Sequence, residues 1–172
     1  MNYTSFFTCL LLCLALTQAE VVNLQNTIPK RYITSIDFVK SDSKIETNHG
    51  NIILQDLNEG AGGKYIYPVK SWTYDPVKAI TEFEFVQNTV CPPGFLRLEQ
   101  DLNEGAGGKY NYLCIKRGGG TAPKVIDIDF RSEDVALSTK ASTIGSWKVF
   151  LRDLNDKSNW RGKYIYLLYK TE

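Results

Sequence analysis

Three sets of residues in the 172-residue chain have the types and spacing to do chemistry. The first is Lys157, Trp160 and Arg161, a tryptophan between cations in a short polar stretch. Such a cluster suits a membrane surface, since indoles favour the headgroup layer and cations attract anionic lipid. The structural alternative is Trp160 folded back on its own sheet. Trp72 and Tyr74, in Lys70-Ser71-Trp72-Thr73-Tyr74, form a further exposed-aromatic candidate, and Lys116-Arg117 before three glycines is another. The second set is Asp56-Leu57-Asn58-Glu59-Gly60, whose oxygens suggest calcium. It lacks the alternating ligands and distal bidentate glutamate of a calcium loop. A turn explains it better: Gly60, Gly62 and Gly63 can adopt positive φ, and the Asp and Asn side chains can bond turn amides. The third set is Cys91 and Cys114, which read as one disulfide in an oxidising compartment. With His49 as the one histidine, they make a poor metal ligand set, so no metal or cofactor is expected. No acid and base are gathered in a way that points to catalysis.

The aspartate phrase organises the chain. Asp56-Leu57-Asn58-Glu59-Gly60-Ala61-Gly62-Gly63-Lys64-Tyr65-Ile66-Tyr67 recurs 45 residues later from Asp101, and again 52 residues after that from Asp153, where Lys157–Arg161 replaces part of the glycine turn. Self-similarity at this spacing marks a repeat architecture. Three copies share fold more readily than one asymmetric ligand site, and Lys64, Lys109 and Lys163 are expected near the turn acids.

Each unit opens on an alternating stretch: Ile33–Phe38, Ile80–Phe85 and Val125–Phe130. Period-two alternation of this kind predicts half-buried strands, with Asp37, Glu84 and Asp129 on the face away from the core. Short strands are predicted at Asn51–Leu54, Gly94–Leu98 and Trp147–Leu151, and a last strand after each Gly-Lys-Tyr step. Links at Ser71–Pro76 and Gly118–Pro123 separate repeats at about 30–75, 76–120 and 121–172. The tyrosine pairs Tyr65/Tyr67, Tyr110/Tyr112 and Tyr164/Tyr166 read as core, with a glycan-stacking platform as the other option. Cys114 shares their face, at a buried position.

Before the repeats, Phe6–Leu16 is apolar and Thr17-Gln18-Ala19 follows, which predicts a secretory signal over 1–19 and one domain over 20–172. The run is too short for a membrane span. Removing Cys9 and Cys13 with the signal leaves the Cys91 and Cys114 pair. The formal net charge is +1, which argues against a nucleic-acid partner.

The recurring phrase, with Cys91-Pro92-Pro93-Gly94-Phe95 and Asp101 to Cys114 most strongly, resembles the multivesicular-body-associated β-prism family over about residues 30–170. The resemblance implies an all-β prism of three antiparallel sheets with pseudo-threefold repeats, and membrane association. Such domains occur in a sorting-complex subunit, in vesicle-traffic proteins and beside pore-forming domains in some toxins. The expectation is therefore a secreted, non-enzymatic module that attaches to membrane or lipid surfaces, in a toxin- or defence-related role. A glycan-binding, lectin-like module is the alternative, and a structural secreted protein the third.

Overall fold

A computed structural model describes residues 29–48, 50–133, 146–156 and 162–172. The predicted signal, His49 and the cluster Lys157, Trp160 and Arg161 lie outside the described residues. The elements are β1 (Tyr32–Ser41), β2 (Tyr65–Thr73), a 3-10 turn (Pro76–Lys78), β3 (Ile80–Gln87), β4 (Leu96–Arg97), β5 (Asn111–Arg117), β6 (Val125–Ser132), β7 (Lys148–Phe150) and β8 (Ile165–Thr171).

They form three antiparallel sheets, ordered β1-β2, β3-β5-β4 and β6-β8-β7. In the second and third sheets the last strand of the repeat is central, with its first strand on one side and a short strand on the other. The first sheet follows the same plan with less: the predicted strand Asn51–Leu54 is reduced to one bridge, Ile52 to Val69. Each first strand carries a register shift near its start, between Ile33 and Ser35, Ile80 and Glu82, and Val125 and Asp127. The three first strands touch one another pairwise, so the sheets close around one interior. This is an all-β, β-prism-like fold occupying the compact unit Arg31–Glu172.

The interior is aliphatic. Ile33, Ile80 and Val125 come from the first strands, and Leu57, Leu102 and Leu154 from the three copies of the aspartate phrase; all are fully buried. Ile66, Leu113, Ile165 and Leu167 come from the last strands. The tyrosines alternate with these residues and therefore take the opposite face, which corrects their reading as core. Tyr110 and Tyr164 are 60% and 55% exposed. Tyr67 is buried because the loop after β1 covers it, with the Ile45 amide donating to its hydroxyl at 3.1 Å. Cys91 and Cys114 are bridged, with Cα atoms 6.0 Å apart, and Cys114 is buried on the tyrosine face.

Candidate functional site

The hydrogen bonds between sheets divide the molecule into two ends. At one end the three aspartate turns meet. In each turn the aspartate Oδ1 accepts two amides: Asn58 and Ile66 for Asp56, Asn103 and Asn111 for Asp101, and Asn155 and Ile165 for Asp153, all at 2.9–3.0 Å. The asparagine Nδ2 then donates across the turn to the carbonyl of Lys64, Lys109 or Lys163. The phrase is thus a clasp that closes a loop on itself, and its recurring side chains hold the turn. Among the described residues, no three His, Cys, Asp or Glu side chains gather where a metal could sit.

The clasps also interlock. The Lys64 amide donates to Glu104 O at 3.2 Å, and the Lys163 amide to Glu59 O at 2.9 Å. The second turn joins the third differently. Asn111, fully buried where the sibling repeats carry Ile66 and Ile165, donates to the Leu154 and Asp156 carbonyls, each at 3.3 Å. The approach is close enough that a Cβ on Gly63 would stand 2.5 Å from the Gly105 carbonyl carbon. Of the turn lysines, Lys163 pairs with Glu59 of the first turn, Lys64 with Asp42 and Lys109 with Gln87. Burial pushes the Asp56 and Asp153 carboxyls up against the opposing pull of their amide hydrogen bonds. Glu104 is held below its ordinary range by hydrogen bonds from Gln100 and Lys40.

At the other end lie the links between repeats. Thr34 donates to Lys78 O at 3.0 Å, Arg117 Nε to Thr34 O at 2.8 Å, and the Glu172 amide to Lys124 O at 3.1 Å. Tyr32 OH donates to Glu172 across the remaining seam. Trp72 sits here, but inside β2 opposite Ile33, not in a link. It is half-buried against the core, with Arg31 Cζ 4.6 Å and Lys70 Nζ 5.5 Å from its ring centre. The predicted exposure of Trp72 is therefore corrected: β-strand pairing continues three residues further than the sequence suggested, through Thr73, and the half-buried ring carries cations.

Tyr74 is where the chain leaves the sheet, and it is 67% exposed. Asp75 then caps a single 3-10 turn, its Oδ1 accepting the Val77 amide at 2.9 Å, with Pro76 at the first position. Proline presets φ and the aspartate satisfies a free amide, so this turn is built to hold its shape. It holds Val77 outward, 63% exposed, next to exposed Lys78. Arg31 and Arg117 are also exposed at this end, and Lys124 and Lys170 are half-buried. Asp75 and Glu172 are the acids among them, Asp75 lying 3.9 Å from Lys78 Nζ; Lys116 and Lys70 are paired with Glu82 and Asp127. The structure thus brings Trp72, Tyr74 and the Arg117 of the Lys116-Arg117 candidate to one end, and adds Val77, Lys78 and Arg31, which sequence reasoning missed. The signal was present in Asp75-Pro76, a capping pair that forces a turn and turns the next side chain outward. Models of known protein families match no part of this chain, and a search of curated proteins returns no relative.

Proposed function

We propose that this chain is a secreted, non-enzymatic module that attaches to anionic membranes through its link end. The observation that carries the reading is the pairing of exposed Tyr74 and Val77 with a rim of cations on a rigid turn. A tyrosine is at home at the membrane interface, and each cation near an anionic surface contributes about 1 kcal/mol. Little ordering cost accompanies binding, because Asp75 and Pro76 already fix the turn. Among the described residues no helix is long and apolar enough to cross a membrane. The resemblance to membrane-associated β-prisms supports the same reading. It is tested by co-sedimentation with vesicles of phosphatidylcholine alone and with added phosphatidylserine. Binding should require phosphatidylserine and weaken as salt screens the charges. Failure to bind phosphatidylserine vesicles at low salt would reject it.

A further inference from the structure

The flank between the first and third sheets carries a groove of about 400 Å³, away from the exposed turn of Tyr74 and Val77. Its size falls in the range of small-ligand clefts, about 300–1,000 Å³. One wall is the segment 50–54, held beside β2 by the Ile52 bridge; the other is the outer edge of β6. Lys70, Asp127, Asp129, Arg131, Asn51 and Trp147 line it.

The chemistry of these groups restricts the occupant. Every charge has a neighbour of opposite sign: Lys70 Nζ lies 2.7 Å from Asp127, and Arg131 Nε 2.8 Å from Asp129. A phosphate entering the groove would meet both carboxylates, and a metal ion both cations. Added strands are also disfavoured. The β6 edge is occupied by its own neighbours: Asp127 Oδ1 accepts the Ile128 amide, Asp129 Oδ1 accepts the Phe130 amide, and Lys70 donates to Ile128 O. A peptide would find few backbone groups to pair with. What remains are hydrogen-bonding groups with spare capacity. Asp127 Oδ2 and the Asn51 amide make no hydrogen bond to any described residue, and Arg131 has committed only Nε. Trp147 supplies an aromatic surface, with Lys170 4.5 Å from its ring centre. Planar donors and acceptors beside an indole, with no net charge, match a neutral polyhydroxyl ligand: hydroxyls both donate and accept, and a sugar's C–H face packs on an aromatic ring.

From this we infer that the groove is a binding site for a neutral saccharide, separate from the exposed turn of Tyr74 and Val77. The test begins with a glycan array spanning neutral, sialylated and sulfated sugars. The best neutral hit is then titrated calorimetrically against the wild type and the variants Asn51→Ala and Trp147→Ala. The Asn51 side chain is exposed, so Asn51→Ala should fold normally even if Trp147→Ala does not. The expected result is binding of at least one neutral glycan, weakened about tenfold or more by Asn51→Ala and by any folded Trp147 variant. Three outcomes would overturn the inference: no hit, hits confined to anionic glycans, or a neutral hit whose affinity Asn51→Ala leaves unchanged.

Discussion

The turn end and the link end are built from the same three repeats, yet they use their polar groups in opposite ways. At the turn end the aspartates, asparagines and several backbone amides are committed to other parts of the chain, within a clasp or between clasps. At the link end the repeats differ in length and sequence, and side chains such as Tyr74, Val77 and Lys78 are left exposed. The contrast teaches where to look for function in a repeat protein. Residues that recur serve closure of the fold, and residues that vary are free to meet something else.

Glycine substitutions should expose the contrast most strongly. Gly63 has φ +83° and Gly120 has φ +75°, so alanine is strained at both. Gly63 is also pressed against Gly105, whereas nothing lies within 4 Å of a Cβ on Gly120. The positive φ alone costs about 1–2 kcal/mol, and overpacking adds about 1–3 kcal/mol. In urea unfolding, Gly63→Ala should lose about 3 kcal/mol or more and Gly120→Ala about 1 kcal/mol. Equal losses would mean that the turns are not interlocked.

The disulfide belongs to the second sheet alone, tying the loop before β4 to β5. Replacing Cys91 and Cys114 together by alanine should cost about 2–4 kcal/mol, the usual effect of closing a loop of this size. A free-thiol assay that finds both cysteines reduced in native protein would refute the bridge.

A smaller and sign-specific effect comes from pH. Asp56 has its folded pKa raised, so its ionisation opposes folding, and this opposition fades as pH falls through the raised value. Glu104 has its folded pKa lowered, so its contribution is present above the unfolded value and is lost as pH falls through the folded one. Asp56→Asn should therefore widen the stability gap between pH 7 and pH 4, and Glu104→Gln should narrow it. Urea midpoints at the two pH values measure both, and a shared sign would contradict the assignment of burial to one and pairing to the other.

Much of the fold was legible in the sequence because its signals are local. The alternation in Ile33–Phe38 and its siblings marks strands, and Asp56, Asn58 and the glycines mark a turn that bonds itself. The facing of the last strands was not legible. In Tyr164-Ile165-Tyr166-Leu167-Leu168 both faces are apolar, so alternation cannot say which is core. The meeting of the three turns was equally hidden, since Asn58 and Glu104 lie 46 residues apart and join only through closure of the three sheets. The groove had the same obstacle, with Lys70 and Asp127 separated by 57 residues. Tyr74 was identified from its type and its place at a link; Trp72 was not separable from it without knowing where β2 stops.

The smallest effect on stability should accompany the largest on binding. Tyr74, Val77 and Lys78 are exposed, so replacing all three with serine should change stability by about 0.5 kcal/mol or less per residue. The most direct test compares this variant with Trp160→Ala/Arg161→Ala in co-sedimentation with phosphatidylserine vesicles. The link-end variant should bind at least tenfold more weakly than wild type, while the third-turn variant keeps most of its affinity. Undiminished binding by the link-end variant, with loss in the third-turn variant, would place the membrane site at the turn end and contradict the division of labour between the two.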